Sequence, residues 1–404
     1  MEEICSWAED PMVNTGWMDA DKSWSALAAA FEWLAIDQWV NSGYALEDFP
    51  SALPIFIDGS NNGVQHLTAL ALDKESAPLV NLDITEPEAV PGDIYMFVAD
   101  KCWENLEKVD AELNEELKAK LPTLVAEAKD LKQRYIEESS KKMRDVVFKE
   151  TLAWRTENRL AIKALWASFW LFVTDKSTRR KCVKRPVMTL GYGVTLSGVR
   201  DQLFDDTKGL TEELTYKEKM WVTPMGDLVY NTCYAELEGP AAMLTLFKQL
   251  AERANNSDKF LQWTVPITNF PVVQVYEQPK KTAVNVNFMG KRLQLTIQVY
   301  ESQKLAKKDQ ISGAAPNVVH SFDAAHLTMV VNKADYPVTM VHDSFGCHAG
   351  NMDKLFTLVR EQFVEFYESD PLVQLLAQLD AIDLLPERGN LNLNDVMQSD
   401  FAFC

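Results

Sequence analysis

A chain of 404 residues with 47% hydrophobic content is long enough for a sizeable core and for more than one domain. Its formal net charge of −19 excludes an ordinary free-standing nucleic-acid-binding module, which takes most of its affinity from phosphate neutralisation and is usually basic. The six cysteines (Cys5, Cys102, Cys182, Cys233, Cys347, Cys404) are scattered, with no CxxC pair and no zinc-ligand spacing, which fits a reduced cytosolic protein.

The segment MEEICSWAEDP is acidic and polar, with neither a secretory apolar core nor an arginine-rich transit pattern, and no apolar run is long enough to cross a membrane. Residues 24–40, WSALAAAFEWLAIDQWV, carry apolar positions at helical spacing and predict a buried helix leading into the next strand. Trp24, Trp33 and Trp39 fit core packing better than a base-stacking platform. In PIFIDGSNNGVQH (54–66), Pro54 to Ile57 reads as a buried strand and Asp58-Gly59 as its sharp exit. PGDIYMFVADKCWENL (91–106) reads as a helix. From Asp110 to Val173 acidic and basic residues alternate at i,i+4 spacing, broken near Pro122, the pattern of long solvated helices. Its aromatic end, LWASFWLFV (165–173), is expected to be buried behind the segment that follows.

That segment, Asp175 to Gly193, reads DKSTRRKCVKRPVMTLGYG and holds six cations. Arg180, Lys184, Met188 and Tyr192 are spaced by four, so on a helix they stack along one face with cations near one end and an aromatic ring near the other. Such a face suits a nucleotide, with charge for phosphates and a ring beside the sugar and base; a solvated basic helix is the plain alternative. Pro186 has no backbone N–H to donate, so the regular helix is expected to begin near Arg185, with Arg180 and Lys184 on a preceding or kinked turn. Residues 205–260 read as an acidic loop, a hairpin around PMGD (224–227) and a helix near AAMLTLFKQLAERA. TAVNVNF and RLQLTIQV alternate with period two around Met289-Gly290-Lys291, a hairpin over 282–299. In PVTMVHDSFG a second short apolar strand, Val338 to Val341, delivers His342-Asp343 to a turn. One aspartate after a strand is more often a turn former or a helix cap. Two of them with a basic helix describe a metal-dependent phosphoryl-transfer site.

DGSNNGVQH, RKCVKRPVMTLGYG and HDSFG match in order, and with similar spacing, motifs A, B and C of the single-subunit RNA polymerases of T-odd bacteriophages and mitochondria. The chain resembles that family also in WTVPITNFPVVQVY (263–276), PNVVHSFDAAH (316–326) and GNLNLNDVMQSDFAFC (389–404), so the resemblance covers most of its length. It implies an α+β, right-hand fold: a palm with an antiparallel sheet over 1–100 and 259–404, mainly helical fingers over 101–258, and neither N-terminal domain nor thumb. The implied activity is template-dependent RNA synthesis from ribonucleoside triphosphates with two Mg2+ ions held by Asp58, Asp343 and the Gly59 carbonyl. The resemblance makes Arg180 and Lys184 the phosphate holders, Tyr192 the sensor of the ribose 2′-OH, and His342 the neighbour of the second carboxylate. Tyr95 matches a tyrosine near the active site. Gly63 stands where related family-A DNA polymerases have a glutamate that closes the 2′ position, and so implies open space there. His326 matches a histidine that probes the minor groove beside the new base pair. Asn285, Arg292 and Gln294 lie on a hairpin that in the family enters the promoter major groove, and Arg185 joins the expected template and product contacts.

In the family, motif A lies hundreds of residues into the chain, whereas Asp58 comes almost at once. Together with the acidic charge, this implies a second polypeptide supplying the thumb, the N-terminal domain and much of the grip on the DNA template and promoter, as for the large chain of a two-chain phage enzyme. The implied setting is the cytoplasm of an infected bacterial host, with no membrane partner. Two other classes stand beside this one. Gly63 and Ser344 speak against a family-A-like DNA polymerase, whose motif C reads HDE; both aspartates, Lys184 and Tyr192 speak against a non-catalytic nucleic-acid-binding scaffold.

Overall fold

The structure is a computed structural model that describes residues 2–83, 90–111, 115–158, 166–167, 170–207, 219–299 and 304–404. The acidic loop expected after residue 205 falls largely in 208–218, outside the described residues. The fold is mostly helical with small antiparallel sheets, an α+β arrangement.

Helices α1 (Glu2–Glu9) and α2 (Ser23–Asn41) pack on each other. The buried helix expected at 24–40 is a helix, but it is not buried. Apolar residues occur all round α2, so one stripe with Leu27 and Ala30 turns inward while Trp24 stays 77% exposed, even with its ring 5.2 Å from that of Trp17. Strand β1 (Pro54–Asp58) follows, with only Ile57 buried, and then α3 (Asn62–Ala71), every residue of which is buried. Asn61 caps α3, its side chain accepting from the Val64 N–H. Helix α4 (Ile94–Ala111) starts at Asp93, whose carboxylate accepts from the Tyr95 and Met96 N–H groups.

Helices α5 (Glu115–Glu137) and α6 (Lys141–Glu157) form an antiparallel pair, tied by Arg134 to Glu150 at 2.7 Å and Trp154 to Glu127 at 2.8 Å. Pro122 does not break α5, contrary to expectation. Of the aromatic run expected to be buried, Trp166 and Trp170 are, and Trp170 packs edge-on to Trp103 of α4, whereas Phe172 is 86% exposed. Helix α7 (Lys176–Leu190) is followed by α8 (Leu196–Asp206), α9 (Lys219–Glu236) and α10 (Glu238–Asn256). The hairpin expected at PMGD is instead the interior of α9. Val222, Met225, Val229 and Cys233 recur at helical spacing and are all buried, and that stripe outweighs the turn-like proline and glycine.

Two small ladders come next: β2 (Gln262–Thr264) with β3 (Pro271–Val273), and β4 (Lys280–Phe288) with β5 (Lys291–Val299). Met289 and Gly290 both have positive φ, the two-residue turn that matches strand twist. Helix α11 (Lys307–Lys333) leads to β6 (Val338–Val341), β7 (Ser344–His348), α12 (Met352–Glu368) and α13 (Pro371–Gln378). The sheet that organises the site has the order β1-β7-β6 and is antiparallel throughout. One continuous core, from Ile57 to Phe403, joins this sheet to α3, α4, α7, α10, α11 and α12.

Candidate active site

The register of the central sheet brings two distant aspartates together. Asp58, the last residue of β1, faces Ser344, and Val341 faces Ser344 from the other side. His342 and Asp343 therefore form the tight link between β6 and β7, with His342 in the left-handed region at φ 56°. Asp343 is the immediate neighbour of the residue paired with Asp58. The free edge of β1 is held by the chain end: Asp58 N–H donates to the Cys404 carbonyl at 3.0 Å, Cys404 N–H donates back at 2.9 Å, and Gly59 bridges to Phe403. Behind that segment Arg360, 1% exposed, donates to the carbonyls of Phe356, Ser399, Asp400 and Phe403. Partial burial, reinforced by the like charge of Asp343, pushes the Asp58 carboxyl up from 3.8 to about 6.

Helix α7 presents the basic face. It begins at Lys176, capped by Asp175, whose carboxylate accepts from the Thr178 N–H at 2.8 Å, and it runs through Pro186 without ending. The expected start near Arg185 is thus too late. The cap and the buried stripe Cys182, Val183, Pro186, Val187 and Leu190 fix the helix, and a proline costs it one bond rather than its continuity. Arg180 pairs with Asp93 at 2.6 Å, its guanidinium 5.0 Å from the centre of the Tyr95 ring. Tyr95 is 8% exposed, and burial pushes its hydroxyl up to about 12. Lys184, one turn on, is exposed and makes no ion pair among the described residues. Arg185 faces another way and pairs with Asp206 of α8 at 3.2 Å.

Tyr192 lies just past the helix, in the turn closed by Gly193 at φ 68°. The space expected at Gly63 is occupied by this ring: a Cβ on Gly63 would sit 3.1 Å from Tyr192 Cζ, and one on Gly191 would sit 2.6 Å from the Gly63 carbonyl carbon. Two glycines let the end of α7 meet the start of α3, and the tyrosine fills what remains. Burial, then the charges of Asp323 and Asp343, push the Tyr192 hydroxyl up to about 12.

His326 does not reach the cleft, which corrects the expectation of a groove-probing ring. It is fully buried among Phe345, Phe363 and Phe403, lies 2.8 Å from the Val359 carbonyl through Nε2, and burial brings it down to about 4. His320 takes the surface instead, stacked on Tyr192 with centroids 4.4 Å apart and planes at 28°. The β4–β5 register sets Asn285 opposite Gln294 and Asn287 opposite Arg292, so these polar side chains share one exposed face of a projecting ribbon.

Sequence reasoning missed Asp93, Asn62, His320 and Asp323. Asp93 carried a signal, as an acidic residue in the first turn of the helix predicted over 91–106. His320 and Asp323 lie three apart on α11 and so on one face, whereas six residues turn His326 to the other. For a metal, the donor set is two carboxylates and carbonyl oxygen, which suits a hard cation whose remaining ligands come from outside the protein. Among the described residues no group of three or more His, Cys, Asp or Glu side chains is arranged to hold one.

A family model described as DNA-dependent RNA polymerase matches residues 1–383. The chain is 32% identical over 440 residues to the DNA-directed RNA polymerase of Enterobacteria phage T3 and 31% identical over 439 residues to T7 RNA polymerase of Escherichia phage T7, in each case over 100% of this chain and 45% of the relative. It is also 29% identical to the mitochondrial DNA-directed RNA polymerase 1 of Arabidopsis thaliana, over 100% of this chain and 36% of that protein. The chain thus spans less than half the length of these relatives. With a match that runs through Asp58, the basic helix and Asp343, the chain belongs to the DNA-dependent RNA polymerase family.

Proposed function

We propose that this chain carries the nucleotidyl-transfer centre of a DNA-directed RNA polymerase, with a palm over 1–100 and 259–404 and fingers over 101–258. The observation that carries the reading is the register that sets Asp58 beside Asp343, with the Tyr192 hydroxyl within electrostatic reach of both. In this reading Asp58, Asp343 and the Gly59 carbonyl hold two Mg2+ ions, which when bound activate the primer 3′-hydroxyl and neutralise the leaving pyrophosphate. Lys184, exposed on the basic face, meets the triphosphate directly; Arg180 reaches it by sharing or releasing Asp93. Tyr192 senses the ribose, Tyr95 backs Arg180, and His342 holds the β6–β7 turn that aims Asp343. The polar face of the β4–β5 ribbon reads promoter bases through Asn285, Arg292 and Gln294.

The substrates are ribonucleoside triphosphates and a DNA template, the product is RNA, and the setting is the cytoplasm of an infected bacterial host. No helix among the described residues is long and apolar enough to cross a membrane. A second polypeptide supplying thumb and N-terminal domain also belongs to the proposal. Its support is the net charge of −19 and the exposed apolar side chains of α2; the relatives give it none. The native enzyme, given a primed DNA template and Mg2+, should add ribonucleotides, stop when EDTA removes the metal and resume when it is restored. Equal use of deoxynucleotides would overturn the assignment to RNA synthesis.

A further inference from the structure

The Tyr192 ring is held by contacts on two sides, with His320 stacked at 4.4 Å and Gly63 beneath it, where even a Cβ would come within 3.1 Å. These contacts fix the plane of the ring but leave the hydroxyl free to rotate. Asn62, the residue before Gly63, is near that hydroxyl; it is 4% exposed, and its amide nitrogen has no hydrogen-bond partner among the described residues. The amide lies within electrostatic reach of the Tyr192 hydroxyl and the Asp323 carboxylate and favours the ionised form of each. Asp323 has a buried neighbour of its own. Its Oδ1 lies 3.6 Å from Nε2 of His66, a ring with no exposure, and His66 Nδ1 is in contact with the Tyr367 hydroxyl. Although burial opposes its ionisation, His66 and Asn62 hold the Asp323 carboxyl below the usual range.

We propose that Asn62 is a specificity-determining positioning residue, whose amide, oriented by the Asp323–His66 pair, aims the Tyr192 hydroxyl at the 2′ position of the incoming sugar. The inference rests on the reading of Tyr192 as ribose sensor. An amide has two N–H groups, one for each oxygen, and a carboxylate that accepts one of them decides which way the amide faces. Once a sugar is bound and the phenol oxygen accepts from the Asn62 amide, the phenol keeps its own O–H for the 2′ position. A deoxynucleotide leaves that O–H unpaired in a partly dry site, and such a loss is the source of discrimination.

The test is single-nucleotide incorporation by the native enzyme on a primed template, comparing kcat/KM for a ribonucleotide with that for its deoxy counterpart. Tyr192→Phe should lower the ribo-to-deoxy ratio. Asn62→Ala and Asp323→Asn, neither of which alters the phenol, should each lower it about tenfold, the equivalent of one hydrogen bond. Neither should lower it further in the Tyr192→Phe background. If Tyr192→Phe leaves the ratio unchanged, the ribose-sensor reading falls. If it lowers the ratio while Asn62→Ala and Asp323→Asn have no effect, or act additively with it, the positioning role is overturned. Should Asn62→Ala fail to fold, Asn62→Ser keeps a short donor and should give an intermediate ratio; a wild-type ratio there would also overturn the proposal.

Discussion

His320 and His326 are the same residue type six positions apart on α11, yet one stacks on Tyr192 at the surface and the other is sealed in the core. The difference is helical phase, and its chemical consequence is a ring at position 326 that resists protonation. His326 binds a proton in the folded chain only near pH 4, against 6.5 for an ordinary histidine. Below about pH 6.5 the unfolded chain takes up a proton that the folded chain refuses. The stability this ring contributes is therefore fully present above 6.5 and is lost as pH falls toward 4. His66, with its ring centroid 6.3 Å away, and Asp323 are the charged or titratable groups that act on the same ring. His326→Gln should shrink the difference in urea midpoint between about pH 7 and about pH 5. A difference as large as in the wild type would assign the acid sensitivity to other groups.

At the scale of elements, the site depends on how chain segments are pinned as much as on which residues they carry. Arg360 is a buried cation that makes no ion pair among the described residues; four carbonyls, three of them in 399–403, hold it in place. Burial pulls its guanidinium down to about 10. Arg360→Met should cost roughly 3 kcal/mol of stability by leaving those carbonyls unpaired, and should loosen the backbone pairing of Asp58 with Cys404. Guanidinium denaturation would check the first effect and amide exchange at Asp58 the second; a loss well under 1 kcal/mol would mean that water replaces the cation without cost. The two strands that carry Asp58 and lead to Asp343 were legible in the sequence because a short apolar run ending at Asp-Gly or His-Asp reads as a strand and its exit. Helix α9 was not, since PMGD imitates a turn and only the spacing of Val222, Met225, Val229 and Cys233 shows otherwise. Pro186 misled in the same way, because the cap at Asp175 and the buried stripe of α7 act over the whole helix while a proline acts locally. The partners of Tyr192 could not be read at all, since they come from α3 and α11, and only the packed core brings those helices together.

For the whole molecule, a net charge of −19 is reconciled with the proposed phosphate-handling site by confining the cations of that site to one face of α7. Arg180 is tethered to Asp93, so Lys184 is the more available of the two to a triphosphate. The carboxylates opposite are the reverse case. Partial burial, and after it the like charge of Asp343, raise the Asp58 carboxyl to about 6, a cost that a divalent cation would offset. The pair is the centre of the account, because every other residue assigned to the site is placed in relation to it. The most direct test is single-nucleotide addition on a preassembled primer–template by Asp58→Asn and Asp343→Asn. An amide keeps the shape of each side chain while giving up the charge that holds the metal. Both variants should fold as the wild type does, by circular dichroism and thermal unfolding, and both should lose nucleotide addition by at least about a thousandfold. Near-normal addition by either variant would contradict the account.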